Sequence, residues 1–565
     1  MENKIRILTK SIIIVLFVVF LASCGSKMKP LSASLFTATP TPLELKGSKI
    51  PVTINGKFPE KWFDKNAEVT ITPILKLEGK EVWGNSTTYQ GENVSSNGIV
   101  ISQQHGDAFT LKSEFDYDPT LTNPELFLRF TSKIKNKNVT LPDLKLSEGL
   151  LTTATLADVF TTNPAIAPNG FKKVIKESYD ANILFLIQQA ELRSSELNSS
   201  NLDAWENLVK SANDNSKQNV NVEVVAYASP DGGYELNEKL AEKREKNTTT
   251  YLNNEFDKEN VGANVYANYT AQDWDGFKKL IEASSLQDKD LVLRVLSMYN
   301  DPLEREREIK NISAIYKDIA ETILPQLRRS RLVANIETIG KSDQELKQAL
   351  NGNTVNLSAD ELLHTAELEG VSAERAYKLV TQKYPNDYRG WNNLGAYYFS
   401  NGLQEAAKQA FAKAQHLKPD AAEANMNLGL FAIDNGEIAK AEQLIGGASE
   451  ANTINEALGL LYLKKGDANI AAQVFGNTVS NNAALAQLLS KQYSEAQKTL
   501  DQLEYKDATT YYLLAVVAAR TNNVSAVTSN LQKAFINNPS FKRYASTDIE
   551  FAKFKKNESI GNLLK

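Results

Sequence analysis

Hydrophobic and polar positions divide the chain into four stretches with different rhythms. Behind Lys4, Arg6 and Lys10, residues 12–21 form an unbroken apolar run. It is too short to cross a bilayer comfortably and has the length of a signal-peptide core. From about 38 to 150 the rhythm is that of short strands: residues 50–54, 67–77 and 126–130 alternate or run apolar, and Gly, Asn and Pro punctuate them. Such strands predict a β-sandwich of immunoglobulin-like type over 38–150. Trp62, Phe63 and Trp83 in this stretch read as core or edge packing. Over 165–345 the strand-like segments 183–187, 220–227, 263–269 and 331–339 alternate with helical ones at 202–212 and 237–254, with a helical insertion at 273–326. Strands joined through helices predict a mixed α/β sheet with helices on one face.

Beyond residue 357 the period is helical, and it repeats. Trp391, Leu394, Gly395, Tyr398, Ala407, Phe411, Ala414 and Pro419 stand at the spacing of a tetratricopeptide repeat. Asn425, Leu428, Gly429, Ala432, Ala441, Ile445 and Ala448 give the next copy. Leu458, Gly459, Tyr462, Ala471 and Phe475 give a third, Ala496 and Leu500 a degraded fourth, and Leu514, Ala515, Ala518, Leu531, Ala534 and Pro539 a fifth. A small residue at the eighth position lets the two helices of a repeat touch, and each pair buries its open face only against its neighbour. An all-α solenoid is therefore expected over 357–540, with a C-terminal tail at 541–565. Trp391, Tyr398 and Phe411 are expected between helices, and Gly395 at their contact. Asn392, Asn393, Asn425 and Asn427 lie on first helices, which line the concave face of such solenoids. Their amides could hydrogen-bond an extended peptide backbone, or simply be solvated.

Composition adds mainly exclusions. The formal net charge of −5 carries no nucleic-acid footprint. The three histidines, His105, His364 and His416, are far apart and read as surface or boundary residues, so no metal or cofactor site is expected. The single cysteine, Cys24, follows Leu21-Ala22-Ser23 directly. That pattern resembles a bacterial lipobox and implies cleavage of residues 1–23, acylation of Cys24 and a tether over 24–37. No acidic residue occurs in 25–29, whereas acidic enrichment there marks surface export in Bacteroidetes-like lipoproteins. An outer-membrane, periplasm-facing protein is the expectation.

The stretch 225–244, Val-Ala-Tyr-Ala-Ser-Pro-Asp-Gly-Gly-Tyr-Glu-Leu-Asn-Glu-Lys-Leu-Ala-Glu-Lys-Arg, resembles the core motif of the OmpA C-terminal-like family. In that family a strand ends in a turn, and a helix opening with Asn carries Leu and Arg. An Arg-rich strand returns later, where this chain has Arg328-Arg329-Ser330-Arg331-Leu332. The Tyr-Ala-Ser-Pro-Asp-Gly variant and the long insertion with Trp274 resemble Bacteroidetes envelope proteins. The resemblance implies peptidoglycan binding, with an Asp in the turn and the helix Arg gripping a diaminopimelate residue. By position the helix Arg is Arg244 and the helix Asn is Asn237, but the Asp position falls on Ser229. Asp231 stands two residues later and could compensate through a different turn. The plain alternative is that 229–232 is a tight turn capping the helix.

These features point to a non-enzymatic envelope scaffold with an OmpA-like domain and repeats that dock protein partners. A glycan-binding lipoprotein beside an outer-membrane nutrient transporter is the alternative; such proteins also contain tetratricopeptide-like helices, and a platform of exposed aromatics would favour it. No phosphate-binding Gly loop, histidine-dependent triad or metal-ligand spacing marks an enzyme.

Overall fold

The computed structural model describes residues 28–565 apart from 312, 353 and 355; the expected leader and Cys24 lie outside the described residues. The chain forms two compact units. One joins the residues up to Asn169 to Ser372–Lys565, and the other is Gly170–Val371. Sandwich and repeats therefore share a unit, and the α/β region is inserted between them in sequence.

Two sheets make the sandwich. The strand Lys49–Phe58 pairs antiparallel with Phe36–Thr39 and Asp107–Asp116. The other sheet runs Lys137–Thr140, Glu125–Ile134, Ala67–Leu77, Thr87–Gly91, Ile99–Ile101 in spatial order. Alternation directs Ile50, Val52, Ile54 and Phe58 from one sheet and Val69, Ile71, Leu126 and Leu128 from the other into a common core. Trp62 and Phe63 belong to that core, while Trp83 is an exposed edge residue. The expected tether at 24–37 is shorter than its composition implied. Met28 is buried in the sandwich core, the Trp62 indole donates to the Lys29 carbonyl at 2.7 Å, and Phe36 already lies in a strand.

The second unit has a four-stranded sheet in the order Val174–Leu184, Arg329–Ile339, Gln218–Tyr227, Asn264–Thr270. The last two are parallel and joined through the helix Tyr234–Glu259; the other pairings are antiparallel. The helices Ser200–Asp214 and Tyr234–Glu259 place Leu202, Trp205, Val209, Leu252 and Phe256 against Ala181, Ile183, Val222, Val224, Leu332 and Ala334. The opposite face carries the cross-strand pairs Lys176–Glu337, Ser178–Asn335 and Asp180–Arg331, the polar surface of a sheet covered on one side only. The insertion packs Phe277, Ile281, Val292, Ile309, Ile319 and Leu327 into a cluster of its own. Asp343–Asn351 and Ala359–Ala366, each opened by a Ser–Glu capping box, close the unit. Its limits, 170 to 371, replace the expected 165–345.

Repeats begin later than the expected residue 357. After Ala373–Lys383 come five helix pairs, from Tyr388–Ser400 with Gln404–Leu417 to Ala508–Arg520 with Val524–Asn537. A Cβ at Gly395 would lie 2.7 Å from the Phe411 ring, at Gly429 2.5 Å from Ile445 and at Gly459 2.6 Å from Phe475. Helix pairing of the tetratricopeptide kind is thus built on these close contacts. Phe411 is fully buried, but Trp391 and Tyr398 are half-buried. The expected tail is instead packed structure: Ser540–Thr547, Ile549–Phe554 and Glu558–Leu564 bury Phe551 and Ile560 against the last pair.

Candidate functional site

The asparagines expected on an open groove lie beneath the chain's own backbone. Residues 152–169 leave the sandwich and run along the first helices of the repeats. Pro164 and Pro168 lack N–H groups and hold the chain extended. Ala165 and Ala167 are small enough for the backbone to touch the helices, and both are fully buried. Asn427 accepts from the Ala165 N–H at 2.7 Å and donates to the Ala165 carbonyl at 2.9 Å. One repeat earlier, Asn393 does the same for Ala167, at 2.8 and 2.9 Å. Asn482 repeats the pattern on Asp158, accepting at 3.0 Å and donating at 2.7 Å. Asn392 links the first two amides: it donates to Asn393 and to the Ala165 carbonyl and accepts from Asn427. Each amide thus closes both hydrogen-bonding groups of one residue, as buried main chain requires.

Other side chains extend the grip. Phe160 packs on Phe399 and Phe431, with ring centroids 5.6 and 6.1 Å apart. Glu456 accepts from the Asn163 backbone and side chain. The Lys464 ammonium donates to the Ala157 carbonyl at 2.8 Å, and burial pushes its pKa down. Farther along, Glu550 joins Thr153 at 2.7 Å to Arg520 at 2.6 Å. Beside it, burial pushes Asp548 up to about 6, although the Tyr512 hydroxyl donates to it at 2.5 Å.

This corrects the expectation for the concave face. Asn392, Asn393 and Asn427 are fully buried and committed to 152–169, neither solvated nor open to a partner. Asn425 ties its helix to the preceding pair, donating to the Pro419 carbonyl and accepting from Gln415. Asn482, Glu456 and Lys464 went unnoticed in the sequence. The available signal was an apolar, proline-bracketed stretch where a linker should be polar.

In the α/β unit, Ser229, Asp231 and Asn237 do come together. Asn237 donates to the Ser229 and Gly232 carbonyls, both at 2.9 Å. A Cβ on Gly232 would meet its oxygen at 2.7 Å, so any side chain there would push the Asn237 amide from its place. Arg328 from the returning strand region donates to the Ser229 hydroxyl at 3.2 Å and to Asp231 at 3.4 Å. Lys310 from the insertion donates to the Asp231 carbonyl at 3.2 Å. Arg329 pairs with Asp273 at 2.9 Å and lies over the Tyr227 ring. Arg244 is placed differently from the resemblance's implication. It is buried, and its guanidinium donates to the carbonyls of Gln189, Tyr227 and Leu186 at 2.9, 2.8 and 3.3 Å. Burial, then the nearby Arg328 charge, pushes its pKa down to about 10. The arrangement makes Arg244 a clamp on main chain. Its burial closes it to a ligand carboxylate.

His105 and His416 are exposed, and His364 stacks on Phe171 beside Asp343. Among the described residues no cluster of His, Cys, Asp and Glu could hold a metal, and no helix is long and apolar enough to cross a membrane.

No protein-family model matches the chain, and no curated protein matches its sequence. Solved structures similar to it include a tetratricopeptide repeat protein from Parabacteroides merdae (15% identity, 39% of this chain and 89% of that one, TM-score 0.27). PilF of Pseudomonas aeruginosa is also similar (16% identity, 39% of this chain and 100% of that one, TM-score 0.27). So is PilW, a type IV pilus biogenesis factor (16% identity, 40% of this chain and 96% of that one, TM-score 0.26). At these TM-scores the likeness carries no functional argument, and the repeat architecture rests on the helix pairing itself.

Proposed function

We propose that this chain is a non-enzymatic scaffold of a bacterial envelope, anchored by lipid on Cys24 and facing the periplasm from the outer membrane. Its repeats bind polypeptide, and its α/β unit is an OmpA-like module directed to the cell wall. The observation that carries the reading is the asparagine ladder: the array grips an extended main chain through amides that ask nothing of side-chain identity. Here that polypeptide is the chain's own. Partners from an envelope or secretion assembly then meet the second helices, where Ile470 and Ile536 are exposed, as is Leu403 at the start of another.

For the wall, Arg244 is committed to main chain, so Arg328 and Lys310 supply the positive charge at the turn, with Arg329 beside them on Asp273. Co-sedimentation with purified sacculi tests this arm, and no binding means the α/β unit is structural. The whole reading is tested by fractionation and by crosslinked pull-down from envelopes. Cys24→Ala should leave the membrane fraction. Ile470→Glu with Ile536→Glu should lose crosslinked partners while the fold persists. Retention of Cys24→Ala on membranes contradicts the anchor, and undiminished capture contradicts docking on the second helices.

A further inference from the structure

The point where the chain enters the sandwich fixes which surface meets the membrane, given the proposed acylation of Cys24, on which this inference rests. Met28 is already in the sandwich core. Three residues separate it from Cys24, and the four steps between them span at most about 14 Å when extended. A lipid at Cys24 therefore holds one pole of the sandwich against the headgroups. That pole is identifiable. Lys29 is tied to Trp62, Lys61 donates its N–H to the Gln103 carbonyl, and Lys135 donates its N–H to the Asn66 carbonyl. The loops 59–66 and 102–106 and the hairpin turn at 134–137 thus lie together.

Charge at this pole runs against the net negative charge of the chain. Lys29, Lys57, Lys61, Lys135 and Lys137 are exposed and form no ion pair among the described residues. The other charges there are largely matched. Lys65 pairs with Glu92 at 3.2 Å and Lys133 with Glu68 at 2.9 Å. Asp64 is buried and accepts from Asn66, and Asp107 accepts from the Ser102 N–H. Glu60 is the one exposed acid facing the five lysines without an ion pair among the described residues. We infer that this lysine-bearing pole is a docking surface for anionic lipid headgroups, which fixes the orientation of the scaffold on its membrane.

The acylated protein reconstituted in vesicles of phosphatidylcholine and phosphatidylglycerol tests this, with an amine-reactive, membrane-impermeant reagent and mass spectrometry as the readout. A lysine near an anionic surface favours contact roughly fivefold. Labelling of Lys29, Lys57, Lys61, Lys135 and Lys137 should therefore fall about fivefold relative to detergent. It should recover in high salt, where the screening length shrinks to about 3 Å. Lys542 and Lys556 are internal controls: their segment contacts the opposite end of the sandwich, where Asn123 donates to the Thr547 carbonyl. Their labelling should not change. Substituting Lys29→Gln, Lys61→Gln, Lys135→Gln and Lys137→Gln together should restore labelling at Lys57. Pole lysines that label as fast as the controls in an acylated chain overturn the docking surface alone. An intact mass without acyl groups on Cys24 overturns the anchor, and the inference with it.

Discussion

Replacing Asn427 by alanine separates a groove open to partners from a groove already filled. Asn427 is fully buried and makes three hydrogen bonds, two with Ala165 and one with Asn392. In Asn427→Ala the Ala165 carbonyl keeps its bond from Asn392, but the Ala165 N–H and the Asn392 side-chain oxygen lose theirs. Each buried group left unpaired costs about 1–3 kcal/mol, so a loss of roughly 2–6 kcal/mol is expected. Asn393→Ala strands both groups of Ala167 and should cost a similar amount. The two asparagines share Asn392, so the double variant should fall short of the sum of the singles. Urea unfolding of the mature chain by far-ultraviolet circular dichroism measures the shift. Asn425→Ala, whose bonds go to Gln415 and Pro419 and leave 152–169 untouched, is the control for loss of an amide outside the ladder. If Asn427→Ala changes stability by less than about 0.5 kcal/mol, the ladder does not hold 152–169 and the reasoning fails.

Gly395→Leu should destabilise the first full repeat by about 1–3 kcal/mol or more, because even a Cβ meets the Phe411 ring; thermal unfolding checks it. Arg244→Met should cost about 2–6 kcal/mol by stranding the Gln189 and Tyr227 carbonyls, while Leu186 keeps the Gln189 N–H, so differential calorimetry must accompany any sacculus-binding assay of that variant. Asp548 has a raised pKa, so the folded protein keeps its proton to higher pH than the unfolded chain. Its contribution is full below about pH 4 and is lost as pH rises toward about 6, by roughly 3 kcal/mol in all. Asp548→Asn should flatten the stability profile in that window, and an unchanged profile would assign the slope to other groups.

Much of the architecture was readable from periodicity. Alternation in 50–54 marks the core of the strand Lys49–Phe58, and the later strands and helices of the α/β unit fall where the rhythm changes, but its first strand is Val174–Leu184 and not the expected 183–187, because its exposed polar face hides the pattern. The small residues at Gly395, Gly429 and Gly459 identify helix contacts because nothing larger fits. What escaped depends on long-range pairing. A side-chain amide has the same sequence signature whether it faces water or a buried carbonyl, so Asn393 and Asn427 disclosed the chemistry of their face but not its occupant. Residues 152–169 lack periodicity because two 3-10 turns, Thr153–Leu156 and Val159–Thr161, and the extended run after them are held by side chains and need none. Arg244 reads as a carboxylate ligand from its motif, but the carbonyls that hold it come from 186–189 and 227, remote in sequence. The tether and the tail were misjudged for a similar reason: Met28 and Phe551 each owe their burial to residues far along the chain.

Amide hydrogen exchange over 157–169 tests the central claim, that the repeat groove is filled by the chain's own segment, most directly. The N–H groups of Asp158, Ala165 and Ala167 each donate to an asparagine, and Ala165 and Ala167 are fully buried. They should exchange as slowly as the first helices of the repeats and speed up in Asn427→Ala. Exchange at the rate of an exposed loop in the unsubstituted protein would contradict the account.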